Sequence, residues 1–300
     1  MFAATLATVL FALSSVSAKR SVQLLGSSHA NLIRILLATL VLGTWAHLWG
    51  AGLGGPSLGW FLVSGLVGFG ICDTAIFLAL PRLGARLTSL MVQCLAAPVA
   101  TIVEWAWLGT QLHIQQLLAG GVILTGVAVA LMPERVDAQK TPSAPTLGWQ
   151  GYGLGILAAA GQALGAVLSR HGQILARDVG QPIDGLSVAY QRILAGLAFT
   201  VIWWIWARRN RIGAPPSDPL PIRSALPWVV LNALSGPSLG VATYQWALQL
   251  QPTGIVMAIA SLTPLVVIPL AVWIDGERPT PQSILGGLLA VVGAVVLSLL

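Results

Sequence analysis

The chain has 300 residues, of which 56% are hydrophobic and only 8% charged, with a mean hydropathy of +0.84. Soluble domains carry about 25% charged residues, so this composition excludes a soluble globular protein and defines an integral membrane protein. The formal net charge of +6 does not signal nucleic acid: the basic residues punctuate apolar runs without building a continuous face, and loops beside anionic lipid account for them.

A membrane-spanning helix takes about 20 apolar residues, within a range of about 17–25. That length predicts ten crossings, over residues 2–18, 30–50, 57–80, 84–108, 113–132, 148–170, 186–207, 225–248, 253–274 and 281–300. The first, an apolar run ending in Ser14-Ser15-Val16-Ser17-Ala18, resembles a signal peptide, but no basic residue precedes it. Its removal would leave the two halves with unequal numbers of crossings, so it is read as a helix. Short connections carry the breakers Pro81, Gly109, Pro252, Pro279 and Pro281. Residues 133–147 are polar and proline-bearing, the natural linker between units at 1–132 and 148–300. Residues 208–224 form a second long loop.

The two units are copies of one another. Pro98, Trp107, Gln116 and Gly120-Gly121 recur 166 residues on as Pro264, Trp273, Gln282 and Gly286-Gly287. Arg34-Ile35-Leu36 recurs as Arg192-Ile193-Leu194. With five crossings each, the copies lie in opposite orientations, which is transporter architecture. The expected fold is therefore an all-α membrane protein of ten transmembrane helices arranged as two inverted five-helix repeats. Gly151-x3-Gly155, Gly161-x3-Gly165 and the stripe from Gly286-Gly287 to Gly293 are small-residue surfaces for close helix packing.

The segment from Trp273 through Asp275-Gly276-Glu277-Arg278-Pro279-Thr280-Pro281-Gln282 to Gly286-Gly287 resembles the end of the ninth helix and start of the tenth in the drug/metabolite transporter superfamily. More narrowly, it is similar to the EamA-type repeat: a membrane proline (Pro264), then Gly-Glu (Gly276-Glu277), then Gln282 and Gly286. Ala79-Leu80 and Ala247-Leu248 match that family's Ala-Leu at the exit of the preceding helix. Lys19, Arg34, Arg170 and Arg192 match its basic residues around the first connection of each copy. In the first copy the Gly-Glu position reads Thr110-Gln111, so a role for that acid falls to Glu277 alone, as a turn cap. The resemblance implies a small-molecule substrate, a multi-pass place in a cell membrane (the bacterial inner membrane) and a monomer or homodimer.

A charge within a span costs at least ~2.5 kcal/mol, which makes each one a candidate for function. Asp73, in the third crossing, lies about 12 Å from that helix end at 1.5 Å per residue, and the returning fourth crossing brings Gln93 to the same depth. Such a pair suits a polar cargo or a proton. Glu104, a second candidate acid, sits near Trp105 and Trp107, where it reads as a side chain reaching for the interface. The second copy has Val241 at the Asp73 position and offers neutral groups instead: Asn232, Tyr244 and Gln245 on the eighth crossing and Gln162 on the sixth. Of the 12 tryptophans most flank segment ends as an interfacial belt, and only Trp246 is expected near a cavity. Cys72 and Cys94 fall in apolar segments, the four histidines lie near segment ends, and no spacing suggests a metal or a cofactor.

These residues read as a secondary transporter that exports a small polar metabolite or drug by alternating access, with Asp73 available for proton coupling. A receptor or assembly subunit is the alternative. An intramembrane enzyme is less favoured, because Asp73 and Glu104 lie roughly 18 Å apart in depth by helix rise. Basic residues on connections after odd-numbered crossings outnumber the others twelve to three, and the positive-inside rule then places both termini outside; the resemblance implies cytoplasmic termini.

Overall fold

The computed structural model describes residues 1–131, 149–210, 212, 222–275 and 281–299, without the side chains of 84–87, 89–90, 93–94, 131, 222, 271–275, 283 and 298. Every regular element among the described residues is helical. Seven helices are long and apolar enough to cross a membrane, and the shorter apolar helices Leu95–Leu108, Ile114–Ala130 and Ile284–Leu297 complete ten. Large apolar side chains such as Leu40, Ile102, Leu118, Ile156, Ile202 and Leu288 are exposed, as they must be where the solvent is lipid.

Helix α1 (Phe2–Leu25) runs seven residues beyond its expected end and carries Lys19 and Arg20 within it. Gly26, at a φ of 75° that glycine adopts without strain, separates it from α2 (Ser27–Leu48). Helix α3 (Leu58–Leu83) contains a π-helical turn at Leu66–Cys72. The next helix, α4 (residues 84–108), follows without the expected break at Pro81, since helical backbone continues from Asp73 to Leu108. The chain nevertheless reverses, because Trp107 ends with its ring 5.8 Å from that of Trp60. Leu83 packs on Gly151 and Met91 on Gly155, so the reversal lies between Leu83 and Met91. Proline bends a helix by deleting one hydrogen bond, which a helical bend tolerates without becoming a loop. Gly109, left-handed at φ 67°, does end α4 as expected.

The second half mirrors this course. After α5 (Ile114–Leu131), which closes the first copy, come α6 (Trp149–Asp178), α7 (Gly185–Arg209) and α8 (residues 222–250). Asp184 caps α7 by accepting from the Ser187 N–H at 2.9 Å. Helix α8 carries its own π-helical turn, Leu234–Ser238, around Pro237. Helix α9 (residues 253–275) is interrupted at Ser261-Leu262, and α10 (Pro281–Leu299) opens on a proline, as a helix start favours.

The packing has the symmetry that inverted repeats require. Helix α1 lies on α8 and α6 on α3, while α2 pairs with α7, α4 with α9 and α5 with α10. Adding five to each helix number exchanges α1–α8 for α6–α3 and maps the other pairs onto themselves, as a two-fold axis in the membrane plane demands. Glycines set the closest approaches. A Cβ on Gly65 would lie 1.7 Å from the Arg192 carbonyl oxygen, and Gly165 sits directly on Gly68. At α5–α10 the contact is backbone on backbone: a Cβ on Gly286 would lie 2.3 Å from the Ala130 nitrogen.

Candidate functional site: a cavity between the two repeats

A cavity of about 170 Å³ lies where the repeats meet. Its walls include four pairs of residues at a constant separation of 168: Gly68 and Gly236, Phe69 and Pro237, Asp73 and Val241, Ile76 and Tyr244. The two π-helical turns, Leu66–Cys72 and Leu234–Ser238, begin the same 168 residues apart and supply part of that wall. Such turns free backbone groups from the regular ladder and recur at functional sites. The lining also reaches Leu80 and Thr88, beside the α3–α4 reversal.

Two arginines lie in this wall. Arg34 was expected at a connection; it is instead buried on α2, where its Nη2 donates to Asn31 Oδ1 at 2.9 Å and pairs with Asp73 Oδ2. Its guanidinium carbon stands 4.8 Å from the centre of the Phe77 ring. Arg192, its repeat counterpart, is only 5% exposed on α7 and stands 5.4 Å from the Phe69 ring centre. Among the described residues Arg192 forms no hydrogen bond and no ion pair, and its Nε is buried without a partner. The hydroxyls of Tyr244 and Thr88, also in the lining, are likewise buried and unpartnered.

The other candidates divide cleanly. Gln162 lines the cavity and accepts from Cys72 Sγ at 3.7 Å. Asn232 lies behind it, accepting at Oδ1 from Ser14 Oγ at 2.7 Å. Gln245 turns away to α6, where Ser169 Oγ (2.5 Å) and Gln173 Nε2 (2.8 Å) donate to its Oε1. Trp246, expected near a cavity, is 44% exposed on the outer surface with its ring edge toward Phe2. The side chain of Gln93 lies outside the described residues, and so do Gly276 and Glu277. Of the repeat motif, Pro98 is exposed on α4, Pro264 and Gly286 are buried, and Gln282 Nε2 donates to the Val129 carbonyl at 3.1 Å, tying α10 to α5.

Glu104 does not reach for the interface. It is buried at the far end of α4, with Oε1 2.6 Å from Arg170 Nε and Oε2 accepting from the Thr253 N–H at 2.6 Å. Arg170 donates to the carbonyls of Leu248 (2.7 Å) and Gln251, and Arg177 to that of Gln249. Helix ends leave carbonyls unsatisfied at the C-terminus and N–H groups at the N-terminus. Here the two arginines cap the end of α8 and the glutamate caps the start of α9, each charge matching the helix dipole it meets. The result is a latch joining α4 and α6 to the α8–α9 turn, beside the clustered rings of Trp60, Trp107 and His171.

Asp73 was legible as a charge in a span, but Arg34 and Arg192 were assigned to connections. The signal that would have found them is the same one: each lies inside an apolar segment and recurs at the matching place in the other copy.

Ten crossings in two inverted halves, with a polar cavity at their interface, define the architecture of a membrane transporter. Residues 1–132 and 149–299 match the EamA-like transporter family, and the chain belongs to that family within the drug/metabolite transporter superfamily. Members are transporters rather than enzymes, and the protein is a multi-pass membrane protein. One solved crystal structure, 20% identical in sequence, shares the fold with a TM-score of 0.72 over 99% of this chain and 96% of the other. No curated protein matches the sequence.

Proposed function

We propose that the protein exports a small polar metabolite by alternating access through the inter-repeat cavity, in exchange for protons taken up at Asp73. The observation that carries this reading is the matched lining: both halves contribute the same positions to one polar space, as a site that faces each side in turn requires. Drug-sized ligands occupy pockets of ~300–1,000 Å³, so a cavity of about 170 Å³ favours a metabolite over a drug.

The Glu104–Arg170 latch fastens one face, and the cavity lining runs toward the other, at the α3–α4 reversal. That other face carries most of the basic residues, which favours a cytoplasmic position for it and for the open end of the cavity. Asp73 is the carboxylate in the described lining; the charged groups beside it are Arg34 and Arg192, and Tyr244 lines the same cavity. A proton taken up there would break the Arg34 pair and reshape the cavity. The setting is a cell membrane, by resemblance the bacterial inner membrane, and the unit a monomer or homodimer.

Cells expressing the wild-type chain should release a metabolite that cells expressing Val241→Trp, which fills the cavity, retain. Asp73→Asn should flatten the dependence of release on external pH, and a reporter active only in the cytoplasm should be silent when fused to Leu300. Equal release with and without the plug would reject the cavity as a path and favour a receptor or assembly subunit.

A further inference from the structure

We infer that the cargo is a carboxylate monoanion and that Arg192 is the residue that holds it. This rests on the reading of the cavity as the transport path. Among the described residues the lining holds two guanidiniums, Arg34 and Arg192, against one carboxylate, Asp73. Asp73 is committed to Arg34, so one positive charge is left over, on a side chain 5% exposed at membrane depth. A charge in that position is tolerated when paired, and the described residues give Arg192 no hydrogen bond or ion pair: Asp73, the carboxylate near it, is held by Arg34.

The local fold holds that fork ready. The Arg192 backbone is locked by Gly65, where nothing larger than hydrogen fits, and Gly68 leaves room for the guanidinium, its site for a Cβ lying 3.0 Å from Arg192 Nη2. Phe69 stands beside it as a cation–π partner, which fixes the guanidinium without using its N–H donors. A planar fork with free donors matches the two oxygens of a carboxylate. The unpartnered hydroxyls of Tyr244 and Thr88 and the amide of Gln162 complete a set suited to the polar remainder of a small organic acid. A single surplus charge selects a monoanion over a phosphate dianion. The charge also bears on direction: an inside-negative membrane potential drives a monoanion outward, worth a factor of about 50 in concentration per 100 mV.

The test compares small molecules released by cells carrying the wild type, Val241→Trp, Arg192→Gln and Arg192→Lys. The species retained by Val241→Trp should bear a carboxylate. Arg192→Gln should cut its release at least about tenfold, the loss expected for a charge-assisted contact, and Arg192→Lys should give an intermediate rate because charge remains without the fork. On purified protein in detergent, lactate should raise the thermal midpoint more than the isosteric neutral lactamide, and that preference should vanish in Arg192→Gln. If Arg192→Gln does not elute as a folded species, Arg192→Lys decides, with reduced release and a retained preference for lactate. A neutral or cationic cargo that the plug still blocks would overturn the anion assignment alone, and so would wild-type release by Arg192→Gln. Release that the plug does not affect would overturn the path together with it.

Discussion

Glu104→Ala should cost the folded protein about 3 kcal/mol or more, because removing one partner of a buried ion pair leaves the other charge uncompensated. The carboxylate is almost fully enclosed and meets both Arg170 Nε and the first free N–H of α9, so the truncation orphans a cation and a helix end together. Thermal unfolding of the detergent-purified variant measures the effect. The double variant Glu104→Met with Arg170→Met should recover much of the loss, since two apolar side chains leave no buried charge, though the α8 carbonyls still lose a donor. A Glu104→Ala midpoint equal to wild type would show that the latch contributes nothing to the fold. The alternative sequence reading, an acid reaching the headgroups, predicts that null result, so the two readings are separable.

Gly286→Val should abolish accumulation of folded protein, whereas Gly121→Val should not. The added Cβ at Gly286 would lie 2.3 Å from the Ala130 nitrogen and 2.6 Å from the Gly126 carbonyl oxygen, both backbone atoms that cannot move without separating α5 from α10. Reciprocally, a Cβ on Gly126 would lie 2.5 Å from the Ala290 nitrogen. At Gly121 nothing lies within 4 Å. Without bilayer water to drive helices together, association depends on such close packing, so opening this seam removes its main source of stability. Fluorescence-detected size-exclusion profiles of both variants give the comparison. Equal profiles would mean that the α5–α10 seam is looser than the backbone contacts indicate.

That contrast also shows what the repeat in the sequence could and could not reveal. Gly120-Gly121 and Gly286-Gly287 are the same motif at a fixed offset, yet only Gly286 is pressed against a neighbouring backbone. Identity between copies reports common descent of the helix, and packing at a two-fold seam need not treat both members alike. The number of crossings was legible because bilayer thickness fixes helix length. Their pairing was not, since α1 on α8 and α6 on α3 are contacts between distant segments that periodicity does not encode. Asp73 could be flagged because an acid in an apolar run has few structural excuses. Arg34 and Arg192 lie within two turns of their helix starts, where an arginine can also reach for the headgroups, and only the packing turns them inward. Glu104 and Arg170 are 66 residues apart, so their union in one latch had no local signal.

The claim that the two halves rock about one cavity is tested most directly by distances across its two faces. Spin labels at Gln111 and Val179 report on the latched face, and labels at Pro81 and Asn210 on the opposite face, all four being exposed positions. Electron–electron double resonance across a pH series should show reciprocal change, the second pair shortening as the first lengthens. Distances that stay fixed on both faces, or that lengthen together, would contradict alternating access through this cavity.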